Sequence, residues 1–163
     1  MKNQILTNEE VKDIIKFACV SNNVSEMYNK ITFSWSERFT SRMGDAYYPF
    51  SRIRLSKPLF QRAEKQEQVN TVIHETCHLI AYFLFGKNTK PHGKRWQTCM
   101  RACGAVPNTR HNVDRSGLNK KYKKAYKVFC ECRALECNKR RYENVKKNSN
   151  LKCLKCNSLF RVN

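Results

Sequence analysis

The chain reads as an α+β domain with a small cysteine-stapled module behind it, and three observations carry that reading. Helical apolar periodicity brackets a stretch of aromatic and β-branched segments; five of the nine cysteines fall after residue 119; and the positive charge is lopsided. Residues 1–70 carry 11 Lys+Arg against 8 Asp+Glu, whereas residues 71–163 carry 21 against 5, within a formal net charge of +19. A length of 163 residues gives room for one full core and an appendage. The texture changes after Pro107, so a domain over 1–119 and a module over 120–163 are expected.

The elements follow in order. Thr7 and Glu10 form a capping box ahead of VKDIIKFACV, whose Val11, Ile14, Ile15 and Ala18 recur at helical spacing. ITFSWSERF and AYYPFSRIRLS, broken by Gly44 and bounded by Pro49 and Pro58, read as short strands. In the second, Ile53 and Leu55 alternate with Arg52 and Arg54, one greasy face and one solvated. From Gln61 to Phe85 the pattern is helical, with Val69, Val72, Ile73, Thr76, Cys77, Ile80, Phe83 and Leu84 in one apolar stripe that Gly86 stops. A shorter helix covers Gly93 to Cys103, with Trp96, Met100 and Cys103 inward. Cys19, Cys77, Cys99 and Cys103 sit at apolar helix positions and read as packing residues.

The long helix carries the chemistry. His74 and His78 lie four apart, on one face and one turn from each other, so their imidazoles can converge on one ion. Burying two histidines and a glutamate beside so apolar a stripe is costly unless a ligand satisfies them. Glu75 completes an H-E-x-x-H arrangement in which the carboxylate stands beside the metal, placed to take a proton from water. A catalytic zinc needs a third protein ligand. Between Gly86 and Val113 there is no Asp or Glu, but there is His92, followed by Gly93 and Trp96; His111, beyond a further helix and Pro107, is the alternative.

The last cysteines suggest a second, structural zinc. Cys153 and Cys156 form a C-x-x-C knuckle that needs a partner pair. Cys132 and Cys137 have workable spacing and are the expected pair, with Cys130 as the alternative to either. A redox disulfide competes but lacks a βαβ context. Around them Lys120, Lys121, Lys123, Lys124, Lys139, Arg140 and Arg141 interleave with Tyr122, Tyr126, Phe129 and Tyr142, a mixture suited to phosphate contacts and to stacking on unpaired bases. DNA, whether single- or double-stranded, is the partner this composition suits.

HETCH, an apolar helix, a short loop and HGKRW together resemble the active-site signature of the SprT-like metalloproteases, and FSWSERF, SRMGDAYY and IRLSKPLF resemble that family's upstream segments. The likeness spans roughly residues 5–160. It implies a zincin-like α+β domain with a small antiparallel sheet beside the HExxH helix, then a zinc ribbon. It also implies a zinc endopeptidase that cleaves proteins crosslinked to DNA, with His74, His78 and His92 as ligands and Glu75 as base.

Trp96 is expected to buttress the His92 loop, and the Arg52–Leu55 strand, if a sheet edge, to hold an extended substrate by strand addition. No 18-residue apolar run and no secretory leader pattern appear, so an intracellular monomer, nuclear or nucleoid-associated and without membrane contact, is expected. Two other classes stay open. A zinc-ribbon DNA-binding protein with an inactive protease-like domain fits the charge, although the intact Glu75 speaks against it. A general zinc peptidase fits the site but leaves the basic half unexplained.

Overall fold

A computed structural model describes residues 3–118, 125–147 and 150–162. The chain divides into two compact units, 1–118 and 119–163. Among the described residues, no helix is long and apolar enough to cross a membrane.

The first unit opens with helix α1 (Asn8–Ser21), where the Thr7 hydroxyl accepts from the Glu10 backbone and the Glu10 carboxylate accepts from the Thr7 backbone. Its Val11, Ile15 and Ala18 are buried. Strands β1 (Thr32–Ser36), β2 (Gly44–Tyr47) and β3 (Arg52–Ser56) follow, then a short helix α2 (Lys57–Phe60), the long helix α3 (Lys65–Phe85) and α4 (Lys94–Ala102).

The sheet departs from expectation in three ways. Its order is β1-β3-β2, with β1 parallel and β2 antiparallel to β3, so it is mixed and not purely antiparallel. The 37–43 connection skips the slot that β3 later fills, which leaves β1 and β3 running the same way. Second, AYYPFSRIRLS is no single strand. Pro49 sits in a 3-10 turn over Tyr48–Phe50, where its fixed φ and missing N–H suit a turn, and Ser51 completes the reversal at φ 44°. Third, the Arg52–Leu55 segment is the centre of the sheet; β1 and β2 are its edges. The alternation within β3 holds, with Ile53 and Leu55 fully buried and Arg52 exposed.

α3 is the axis of the unit. Val72, Leu79 and Ile80 pack in one core with Leu55 of β3, Ile15 of α1 and Met100 of α4. Burying side chains of this size contributes about 1.5–3 kcal/mol each. Gln68 is fully buried and fully used: its Nε2 donates to the carbonyls of Gln4, Phe60 and Ala63, and its Oε1 accepts from the Leu6 backbone. It therefore pins the N-terminal segment to the start of α3 without an unpaired buried group. The predicted stripe is too long at one end, because Phe83 and Leu84 are exposed.

The second unit is a hairpin of β4 (Tyr126–Phe129) and β5 (Ala134–Cys137), a helix α5 (Lys139–Lys146) capped by the Asn138 side chain, and a returning segment that pairs Phe129 with Arg161. Val128, Val145 and Phe160 form its small core. So little apolar burial fits a module that relies on a metal staple.

A three-histidine site and a four-cysteine cluster

In the first unit the Nε2 atoms of His74, His78 and His92 stand 3.0, 3.1 and 3.2 Å apart. Three nitrogens so spaced fit a common ion at about 2 Å from each, the distance imidazole takes to zinc. Each gets there for a local reason. His74 and His78 share a face of α3. His92 adopts a left-handed backbone, φ 59°, which turns the loop back toward α3. The following Gly93 allows a close approach, since a Cβ there would lie 3.0 Å from the Lys90 carbonyl oxygen.

Trp96 does more than buttress one loop. It is buried, its Nε1 donates to the His74 carbonyl at 3.3 Å, and its ring centroid lies 4.8, 5.3 and 4.7 Å from those of His74, His78 and His92. Burial lowers the pKa of all three imidazoles, to about 4 for His74 and about 3 for His78, with neighbouring rings adding to the effect for those two. The Asn108 backbone opposes this at His74. The triad is thus neutral at pH 7, the form that ligates metal.

Glu75 is 7% exposed, and burial followed by the charge of Asp45 pushes its carboxyl up to about 8. A cation at the histidines would draw it back down. Asp45 is itself gripped by Arg54 through two bonds of 2.8 and 2.7 Å and by Arg42 at 2.8 Å. Gly44 lets the edge strand pass, because a Cβ there would lie 2.9 Å from Glu75 Cγ. The triad and Glu75 face a cavity of about 660 Å³, walled by Gly44–Ala46 of β2 on one side and by residues of the loop after α4 elsewhere.

Three contributors were not legible from sequence. Tyr48 lines the cavity with its pKa raised by burial and by Glu75. Asn108 acts through its backbone, which carries no side-chain signal. Gly44 was visible only as a strand interruption. His111, the alternative ligand, lines the cavity but lies outside the three-histidine group, with its Nε2 3.4 Å from the Ser41 carbonyl.

In the second unit Cys130, Cys132, Cys153 and Cys156 converge, and Cys137 does not. The expected Cys132–Cys137 pair is therefore corrected to Cys130–Cys132. The reason is the hairpin: Cys130 and Cys132 sit in its turn, closed by Cys130 N–H donating to the Arg133 carbonyl at 3.0 Å. Cys137 pairs with Tyr126 at the opposite end, three residues or about 10 Å along the strand. The 130–132 and 132–153 sulfur separations are 3.6 and 3.8 Å. Four sulfurs around one zinc at 2.3 Å stand about 3.8 Å apart. Ser158 hydrogen-bonds Cys156 and brings its thiol down to about 6, favouring the thiolate.

Of the expected DNA contacts, Lys139 and Arg140 are exposed on α5. Arg141 is partly engaged, its guanidinium 4.9 Å above the Phe160 ring. Tyr126 and Tyr142 pack against each other, their ring centroids 4.9 Å apart and their planes tilted by 38°. Lys120, Lys121, Tyr122, Lys123 and Lys124 lie outside the described residues.

Fold and site together define an α+β domain with a three-histidine metal-type centre beside a buried glutamate, and a second module with a four-cysteine cluster. The chain belongs to the SprT-like family, whose pattern matches residues 15–117. It is 31% identical over 150 residues to Protein SprT of Shewanella oneidensis, covering 89% of this chain and 88% of that protein. It is 30% identical over 115 residues to Protein SprT of Vibrio parahaemolyticus, covering 69% and 67%. Among solved structures it is similar to the metallopeptidase zymogen abylysin of Pyrococcus abyssi, at 16% identity and a TM-score of 0.44 over 56% of this chain and 77% of that one.

Proposed function

We propose that the chain is a zinc-dependent endopeptidase that cleaves proteins crosslinked to or tightly held on DNA. The observation that carries the peptidase part is the convergence of three neutral imidazoles beside a buried carboxylate at an open cleft. His74, His78 and His92 would hold a zinc ion, which would supply Lewis acidity toward a peptide carbonyl and a water molecule.

The chain's own groups do the rest. The open edge of β2 offers backbone donors and acceptors to an extended substrate, so recognition runs through main chain and tolerates many sequences. This moves strand addition from the β3 segment to β2. Glu75 takes the proton of the attacking water and delivers it to the leaving nitrogen, a task open to a carboxyl that a cation at the histidines draws back toward its ionised form. The Trp96 ring packs against all three imidazoles and holds them in place.

The DNA part rests on the +16 balance of residues 71–163 and on the exposed Lys139 and Arg140. In this reading the cysteine module, holding a structural zinc, keeps the peptidase on DNA and confines cutting to proteins found there. Incubating the zinc-loaded protein with a protein–DNA conjugate and with the same protein free of DNA tests both parts. Cleavage that favours the conjugate is expected, and equal cleavage of both would remove the DNA part.

A further inference from the structure

A second cavity, of about 190 Å³, opens beside the three-histidine site and shares Tyr48, His78 and Pro91 with the main cleft. It is smaller than the roughly 300–1,000 Å³ that whole small-molecule ligands occupy. Its size suits one side chain of a substrate whose backbone lies in the cleft.

The lining divides cleanly. Ala81, Trp96 and the stacked pair Tyr48 and Tyr82, 4.8 Å apart, supply apolar walls. The polar members are His78, whose Nε2 is turned to the other two histidines, and Thr89, Lys87 and Lys90. Thr89 is already occupied, its hydroxyl donating to the Gly86 carbonyl at 2.8 Å. Neither lysine forms a salt bridge among the described residues, and the sequence places no Asp or Glu between Gly86 and Val113 to neutralise them. Apolar walls with two exposed lysines and no acidic residue in the lining are complementary to a side chain with a methylene stem and a carboxylate tip. A bare phosphate would satisfy the lysines but leave the aromatic walls unfilled.

We infer that this cavity is a specificity pocket for an acidic substrate side chain, glutamate above all, held between the Tyr48, Tyr82 and Trp96 walls with Lys87 and Lys90 at its carboxylate. The inference rests on the peptidase reading and adds a preference to it: backbone recognition along β2 sets no sequence, and this pocket favours an acid at one fixed position beside the cut.

The test uses the full chain with zinc bound and Glu75→Gln to prevent turnover. A nested set of peptides carries glutamate, glutamine or lysine at each position in turn, with binding read by calorimetry and by tryptophan fluorescence, since Trp96 lines the pocket. One position should prefer glutamate about fivefold, the scale of a partly exposed charge pair, and the preference should shrink with salt. The K87E/K90E double variant, checked for unchanged zinc content, should reverse it in favour of lysine. Equal ranking by the parent and the double variant would overturn the assignment. So would displacement by a DNA oligonucleotide without discrimination among peptides, which would give the lysines to a phosphate. Cleavage of the same peptides by the chain with Glu75 intact separates the two levels: cutting without a glutamate preference leaves the peptidase reading standing and removes the pocket, whereas no cutting and no binding removes both.

Discussion

Glu75→Gln should stabilise the metal-free protein, and the size of the effect follows from burial. The carboxyl is 7% exposed and titrates at about 8 in the fold against an ordinary 4.5. Between those values the folded chain holds a proton that the unfolded chain has released, so stability falls as pH rises, by about 1.4 kcal/mol per unit. At pH 7, roughly 2.5 units above the ordinary value, the wild type has lost about 3 kcal/mol that the neutral amide never loses. His74 and His78 act in the opposite direction. Their lowered values contribute stability that is complete above the ordinary 6.5 and lost as pH falls toward 4 and 3, and this is common to both proteins. The difference between the two therefore isolates Glu75. Urea unfolding of chelator-treated protein, followed by Trp35 and Trp96, reports on the first unit alone, because both tryptophans lie there. The gap between variant and wild type should be about 3 kcal/mol larger at pH 7 than at pH 4, and should narrow when zinc is restored. A gap that does not change with pH would refute the argument that burial holds this carboxyl protonated.

Three further outcomes are expected. Metal analysis should give two zinc ions per chain, with Cys130→Ser losing one and Cys137→Ser retaining both; equal loss from both variants would contradict the turn geometry. Gly44→Ala should reduce cleavage by about a hundredfold at unchanged zinc content, because its Cβ would displace the Glu75 side chain or the edge strand, and a misplacement near 1 Å costs on that order; an unimpaired variant would mean the strand can give way freely. Reversing Lys139 and Arg140 to Glu should weaken DNA binding and lower the log-log salt slope by about 0.7 to 0.9 for each phosphate no longer neutralised, read by anisotropy at several salt concentrations. Leaving Arg141 in place spares its packing on Phe160.

What was legible in the sequence was what a local period or a single residue's chemistry encodes. The four-residue spacing of His74 and His78 survives in any α-helix, and the absence of acids after Gly86 left His92 as the nearest remaining ligand. The capping box of α1 is equally local. What failed depended on pairings distant in the chain. That β1 runs parallel to β3 follows from a skipped slot in the sheet, which no residue announces. Pro49 was visible as a boundary, yet its turn folds β2 into the edge position that walls the cleft. Sequence spacing favoured Cys132 with Cys137, but a hairpin turn brings residues two apart together and carries residues five apart to opposite ends. Tyr48 and Asn108 reach the site through tertiary contact alone.

The most direct measurement of the central claim is cleavage of a protein–DNA conjugate by zinc-loaded wild type and by Glu75→Gln of equal zinc content. Cutting by the wild type and none by the variant is the result that a proton-carrying Glu75 beside a three-histidine zinc site predicts. Equal cutting by the two proteins, or none by a wild type shown to carry zinc at His74, His78 and His92, would contradict it.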